Sequence, residues 1–348
     1  MTDLDERIVH TLRERAEGGV DTDRLLAAAV ARGRTRVRRR RAAAGAMLSV
    51  VALLGAGVAA GAVGVHGVIP AIDPDVPSES GRPVAVVPPL ADGVPGAAAR
   101  PDMVGADPNL LHIGIARGGP RFLSWAVQAG VEVAQFDAGG RTVTLELAAS
   151  AEALRLSPPE GLSSEMAELL GRSPYDGTVS SIAAPNGARR WLLHWRPTPG
   201  LYARADVVAP EDGELHTVAN SLRLDQAYHC GGPLRLTAVP AGAEVTSCEV
   251  KVASFPAGFD VLLSITSGIR AGIAVRLNYA ASIVASRTEG NLTIGGRAAY
   301  RSPIGALELL GFPRAHLTAV WMGDAEADAA TVLGGAQVAE HLDQPETW

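Results

Sequence analysis

The sequence predicts an α+β protein: short cytoplasmic helices, one transmembrane helix, and two tandem antiparallel-sheet units that each end in a C-terminal helix. Three observations lead to this fold class. The chain has 348 residues, which is enough for two domains. Hydrophobic residues make up 47% and charged residues 20%, so the chain can build apolar cores. Short β-rich runs followed by an amphipathic segment occur twice in residues 109–348.

Residues 1–41 form a polar leader with helical periodicity. Leu4, Ile8 and Leu12 recur at helical spacing, and a second amphipathic segment begins at Leu25. Helices this short need a partner, because nucleation is costly and one apolar stripe has nothing to pack against in water. The leader therefore either fixes topology alone or docks a cytoplasmic protein, and the sequence leaves both alternatives open.

Charge is distributed unevenly along the chain. The net charge is −6, yet residues 1–41 contain 11 Arg against 7 Asp and Glu. No charged residue lies between Ala42 and Ile72. Because about 20 apolar residues span a bilayer, we expect a transmembrane helix over residues 42–69. Arginines before a first span keep that end in the cytoplasm, so the following residues are expected outside the cell. The arginines that provide this topology signal are Arg36, Arg38, Arg39, Arg40 and Arg41.

Two other interpretations of this region stay open. A signal peptide cleaved near Ala59–Val65 would release the outer region, although the 41-residue leader is longer than a usual basic n-region. Clustered arginines can also neutralise nucleic-acid phosphates. The run directly precedes the apolar stretch, so membrane topology explains it more economically, and no nucleic-acid partner is expected.

The opening of the chain resembles a known group of proteins. The leader LDERIVHTLRERAEGGVDTDRLLAAAVARGRTRVRRRR and the Ala/Gly-rich stretch after it are similar to the start of uncharacterised actinobacterial single-pass membrane proteins. Some of these are encoded near alternative sigma factors, and the layout is similar to that of membrane-bound anti-sigma factors. The resemblance implies a sigma-factor-like regulator as the cytoplasmic partner. The leader holds only His10 and no Cys, so it lacks the zinc-binding motif of many anti-sigma domains.

Residues 70–108 predict a stiff, extended linker, because nine of the 23 prolines lie there. The sequence then divides into two ectodomain units, 109–226 and 227–348. Helices are predicted at Glu214–Leu224 and Asp328–Leu342. Strands of the first unit are predicted at Leu111–Ala116, Val131–Phe136, Arg141–Ala148, Thr178–Ala184, Arg190–Trp195 and Leu201–Val208. Strands of the second unit are predicted at Leu234–Val239, Glu244–Ala253, Val261–Thr266, Gly272–Ala280, Asn291–Tyr300, Ala306–Leu310 and His316–Met322.

The ends of the two units resemble each other. A strand, an acidic turn and an amphipathic helix begin at Leu201 and again at His316, 115 residues later. This recurrence indicates a tandem duplication.

Cys230 and Cys248 are the only cysteines, and both lie in the part of the chain expected outside the cell. We expect a disulfide between them, because oxidising compartments favour disulfides and the loop is easily closed. Free buried thiols and a metal pair with His229 are the alternatives, but such a pair supplies too few ligands for zinc.

No catalytic template fits the sequence. It contains no G-x-S-x-G elbow, no H-E-x-x-H motif and no P-loop. His194 and His216 lie inside a predicted strand and helix, which is typical of packed or surface histidines. The other candidates are the acidic turn residues Glu211, Asp212, Asp324 and Glu326, which could hold a cation, and Trp191, Trp195 and Trp321, which could line a pocket.

These observations predict a membrane-anchored extracytoplasmic binding or sensor protein that relays to a cytoplasmic regulator. No residue pattern indicates a cofactor, a catalytic residue or a metal site, and neither ligand nor oligomeric state follows from the sequence. A membrane-tethered envelope enzyme and a structural envelope component are the alternative interpretations.

Overall fold

The computed structural model describes residues 85–156, 168–173, 177–184, 187–267, 271–283, 287–303 and 305–348. All of these belong to one compact unit, Glu79–Trp348, while the second unit, Met1–Ser78, lies outside the described residues. The predictions for the leader, for the membrane span at 42–69 and for the first part of the linker therefore also lie outside them.

The described residues form mainly β-strands. The strands are β1 Leu90–Pro95, β2 Leu110–Leu111, β3 Gly114–Ile115, β4 Arg121–Gln128, β5 Val131–Ala138, β6 Arg141–Ala148, β7 Glu168–Ser173, β8 Gly177–Ala183, β9 Arg189–Trp195, β10 Tyr202–Ala209, β11 Leu222–Arg223, β12 Gln226–His229, β13 Leu234–Leu236, β14 Ala243–Lys251, β15 Gly258–Ser267, β16 Ala271–Ala280, β17 Leu292–Ile294, β18 Arg297–Arg301, β19 Leu307–Leu309, β20 Ala315–Trp321 and β21 Ala336–Val338. The α-helices are α1 Ala151–Leu156, α2 Gly213–Ser221 and α3 Glu326–Gly334. Short 3₁₀ helices lie at Pro101–Met103 and Pro345–Thr347.

Fourteen of these strands form one antiparallel sheet. Its order is β17-β18-β19-β20-β16-β15-β14-β4-β5-β6-β10-β9-β8-β7. We call β4–β10 with α1 and α2 the first half, and β14–β20 with α3 the second half. Each half contributes seven strands, and both halves use the same order outward from the centre. The halves meet where β4 pairs with β14, with Val127 opposite Cys248.

The predicted α+β fold of two sheet units, each closed by a C-terminal helix, is wrong. Strands from both predicted units hydrogen-bond into one sheet, and the described helices have only 6, 9 and 9 residues. The pattern of apolar residues locates strands but does not show which edges pair. The fold is therefore dominated by one wide sheet, with short helices against it.

The sequence prediction missed strand β4, which joins the halves, and also β1, β7, β12, β21 and α1. The buried residues of β4 are Phe122, Trp125 and Val127, so the two-residue alternation breaks after the first of them. The register against β5 shifts between Phe122 and Ser124, as at a β-bulge. A bulge inserts one extra residue and so hides a strand from a search for period two.

Two further differences lie at turns. The single strand predicted at Asn291–Tyr300 is a hairpin, because Gly295 and Gly296 both adopt positive φ between β17 and β18. Positive φ at two consecutive residues matches the twist of a tight hairpin turn. The last predicted helix ends at Gly334, and β21 follows it.

One apolar core spans both halves. Alternate residues of the strands point into it, such as Leu145 on β6 and Leu277 on β16, both fully buried. Helices α2 and α3 contribute Leu215 and Val332 to the same core, so both helices lie on this face of the sheet. A small second core around Leu154 of α1 contains Val131, Ala148 and the half-buried Tyr202.

Residues 85–118, which we call the strap, also pack on the main core. Val86 and Val104, within the predicted linker, are buried there. The strap pairs with residues 222–229, the inter-half segment, rather than with the large sheet: β1 and β2 flank β12, and β3 pairs with β11. The strap and the inter-half segment therefore pair with each other, and together they pack against the core of the large sheet.

Candidate functional site

The predicted disulfide between Cys230 and Cys248 is confirmed. Cys230 follows the inter-half segment, Cys248 lies on β14, and both residues are fully buried. The Trp125 indole N–H donates a hydrogen bond of 2.7 Å to the Cys230 carbonyl oxygen. The described residues hold no free cysteine, so the alternatives of free thiols and of a metal pair with His229 are wrong. The bond fixes the inter-half segment at the centre of the sheet.

The topology arginines Arg36, Arg38, Arg39, Arg40 and Arg41 lie outside the described residues. Among the described helices, none is long and apolar enough to cross a membrane.

The side of the large sheet opposite the main core carries charged residues, and we call it the polar face. On β10, Ala203, Ala205 and Val207 point to the core, so Arg204 and Asp206 between them point away from it. The same alternation places Glu146 of β6 on the polar face. Strand alternation alone thus gathers these three side chains on one side.

The first cluster on this face consists of Glu146, Arg190, Arg204 and Asp206. Arg204 is paired with Glu146. Arg190 donates hydrogen bonds of 2.9 and 3.1 Å to one carboxylate oxygen of Asp206. The Arg204 side chain is only 7% exposed and that of Glu146 14%. Tyr202, which packs on the small core beneath α1, belongs to the same strand as Arg204, so the cluster borders that core.

Burial dominates the electrostatics of the first cluster. It raises the pKa of Glu146, an effect that Arg204 opposes, and it raises the pKa of Asp206, which Arg190 opposes. His194 lies opposite Arg204 in the β9–β10 register. Desolvation, and then the charge of Arg204, lower the pKa of His194. Several groups with shifted pKa values in one place are a feature of functional sites.

The second cluster lies in the second half and consists of Asp260, Arg276, Glu308, His316 and Arg287. The first four lie on β15, β16, β19 and β20. Arg276 donates a 2.6 Å hydrogen bond to Asp260. Glu308 contacts His316 Nδ1 at 2.6 Å, and Arg287 Nε lies 3.9 Å from its other carboxylate oxygen. The Arg287 guanidinium also stands 3.7 Å from the centre of the Tyr300 ring. The His316 side chain is 39% exposed, so this cluster is more open than the first.

Both clusters consist of paired charges, and those of the second cluster are the more accessible. An ionic or hydrogen-bonding ligand can exchange with the exposed members, such as His316 and Arg287. The described residues contain no group of three or more His, Cys, Asp or Glu placed to hold a metal ion. The exposed charged side chains are therefore suited to binding a polar or ionic ligand.

The remaining sequence candidates are separated in the structure. Trp195 is buried, and Trp191 and Trp321 pack against the main core. Among the described residues, Glu211 lines a surface depression of about 600 Å³ at the start of α2, where Arg141 and Glu214 form an ion pair. Asp212 contacts His216 at 3.2 Å. In the second half, Glu326 pairs with Arg301 at 2.7 Å, and Asp324 lies just before α3.

Sequence reasoning missed one buried pair, His112 of the strap and Glu132 of β5. Both side chains are fully buried, and His112 Nδ1 lies 2.6 Å from Glu132 Oε1. The signal was present in β5, where Ala134 and Phe136 have the alternation of core residues and Glu132 shares their side. A carboxylate in a core register requires buried donors, which the strap provides.

Comparisons with known proteins identify no family. No protein-family model and no curated protein matches the chain. A crystal structure of MucB in complex with MucA(peri) is similar at 14% sequence identity and a TM-score of 0.21, covering 62% of this chain and 91% of that one. Values this low support no argument about fold or function.

Proposed function

We propose that this chain is a membrane-anchored protein whose residues 85–348 form an extracytoplasmic binding or sensor domain. The observation that carries the proposal is the buried disulfide between Cys230 and Cys248. Disulfides persist in oxidising compartments, and this one follows an uncharged stretch that begins directly after the arginine run at Arg36–Arg41. The polar face, with its two clusters, is the surface that we propose for ligand binding.

The topology is tested with reporter fusions to the full chain. We expect alkaline phosphatase fused after Trp348 to be active and a fluorescent protein fused before Met1 to fluoresce. The matched variant replaces Arg36, Arg38, Arg39, Arg40 and Arg41 with Glu, which removes the topology signal and lowers phosphatase activity. An inactive C-terminal phosphatase together with reduced thiols would contradict the proposal. Recovery of a shortened chain free of the membrane would support the cleaved signal peptide instead.

We further propose that residues 1–41 dock a cytoplasmic regulator. Support comes from the amphipathic spacing of Leu4, Ile8 and Leu12, which gives a short helix an apolar stripe that needs a partner. The test is a pull-down with the full chain in detergent, comparing the wild type with a Leu4→Asp, Ile8→Asp double variant. A sigma-factor-like protein retained only by the wild type is the expected result. Equal retention by both chains would show that the apolar stripe does not mediate docking.

A further inference from the structure

The strap and the inter-half segment are held together by backbone hydrogen bonds. Besides the pairing of β1, β2 and β3, Ala98 N–H donates to Leu224 O at 2.8 Å and His229 N–H donates to Pro89 O at 2.7 Å. The residues on either side of the segment also bond to the strap, because Ser221 O accepts from Ala116 N–H and Cys230 N–H donates to Asn109 O, both at 2.8 Å. These bonds run along most of the strap. The two segments therefore form one layer, which we call the strap layer.

Glu132 fastens this layer to the large sheet. Its Oε2 accepts the His112 backbone N–H at 2.6 Å, while its Oε1 contacts His112 Nδ1 at 2.6 Å and accepts the Gly105 N–H at 3.1 Å. Gly105 has a φ of +71°, and a Cβ there would lie 2.4 Å from the Gly130 backbone. One carboxylate on β5 thus binds two points of the strap, seven residues apart in sequence.

The contacts between Glu132 and the strap leave one polar atom of His112 without a hydrogen bond among the described residues. His112 Nε2 is fully buried and has no hydrogen-bond partner among the described residues. A buried polar atom without a partner costs free energy that hydration would recover. Opening of the strap layer would expose this atom to water, so the closed state carries a local free-energy penalty at His112.

The disulfide limits how far such an opening can extend. Cys230 directly follows the inter-half segment and is bonded to Cys248 on β14, at the centre of the sheet. Trp125 holds the Cys230 carbonyl in the same place. The strap layer can therefore separate from the sheet only up to this residue, while β13 and the second half stay in position.

We propose that the strap layer, residues 85–118 and 222–229, opens from the sheet as one unit. Glu132 holds the layer closed, and the disulfide limits how far it opens. Buried apolar residues such as Leu111 and Ile113 keep the layer closed most of the time. The inference rests on the proposed function in one respect, because the strap is the first described segment after the proposed anchor in the sequence.

The test is hydrogen exchange on the full chain in lipid nanodiscs. In Glu132→Gln, one donor of the strap meets an amide N–H₂ instead of a carboxylate oxygen. We expect amides of residues 104–115 and 222–229 to exchange roughly 10-fold faster, with those of β14–β16 unchanged. The control is Glu249→Gln on β14, where the carboxylate pairs with Lys251 at 2.9 Å and is 40% exposed, so the variant should leave the strap amides unchanged. Acceleration throughout the sheet, or in the strap without residues 222–229, would overturn the proposal.

A second measurement does not depend on how well the variant folds. In the wild type at increasing, sub-denaturing urea, the strap and residues 222–229 should share one opening free energy that is lower than that of β14–β16. A value equal to that of the sheet would overturn the proposal. Neither result depends on membrane topology. A different topology would therefore contradict the proposed function, while these two measurements would still test whether Glu132 holds the strap layer closed.

Discussion

The two halves of the sheet have the same strand order but differ in where their charges lie. In the first half, Arg204 and Glu146 are nearly buried beside the small core under α1. In the second half, Arg276 and His316 are each more than 30% exposed. The disulfide, in contrast, lies on the second-half side of the junction. The shared strand order therefore sets the backbone arrangement of both halves. Packing on the polar face, such as that of α1 in the first half, determines which charged side chains lose their water.

The largest expected effect tests whether the halves unfold together. Leu145 on β6 and Leu277 on β16 are both fully buried in the one core. Leu145→Ala and Leu277→Ala should each cost about 2–5 kcal/mol, because each leaves a cavity. In urea unfolding followed by tryptophan fluorescence and circular dichroism, both variants should move the same single transition. Two transitions, each moved by one variant only, would show that the halves are independent.

The second-largest expected effect comes from the disulfide, which lies on the second-half side of the junction. The bonded cysteines are 18 residues apart, and in the chain-entropy model a loop of this size contributes about 3 kcal/mol. A Cys230→Ser, Cys248→Ser double variant should lose about that much unfolding free energy. The wild type measured with excess reductant during unfolding is the control and should match the variant. A loss near zero would mean that packing alone fixes the inter-half segment.

The charge clusters should respond unequally to the same substitution. Arg204→Met leaves Glu146 poorly solvated and unpaired, so we expect a loss of about 3 kcal/mol. Arg276→Met, at a less deeply buried pair, should cost less, about 0.5 kcal/mol. Arg204 lowers the pKa of Glu146, so removing it raises that pKa further. The Arg204→Met deficit should therefore shrink as the pH falls and Glu146 becomes protonated. Equal losses for the two variants would contradict the difference in desolvation.

The smallest expected effect is the contribution of His194 to the pH dependence. Its pKa is lowered in the folded chain, so the unfolded chain binds more protons just below the ordinary histidine value. Wild-type stability should therefore decrease as the pH falls through about 6.5. His194→Gln should flatten this part of the curve when thermal unfolding is measured between pH 5 and 7.5. An unchanged slope in the variant would assign the dependence to another group.

Local patterns located most of the strands. Alternation of apolar residues placed β6 at Arg141–Ala148, as the structure has it, and β9 within one residue. It failed at β4, where a bulge breaks the alternation, and at Asn291–Tyr300, where two glycines turn the chain. Of the candidate site, the sequence identified only the cysteine pair. The polar clusters join residues from strands up to 58 positions apart, and no local pattern records such pairing.

The sequence by itself determined the position of most strands, the disulfide partners and the charge boundary on which the membrane proposal depends, because each of these follows from neighbouring residues. Only the tertiary structure decided that both halves share one sheet, that Glu132 binds the strap, and which arginines lose their water. These features depend on edge pairing and on desolvation, and both arise when distant segments meet.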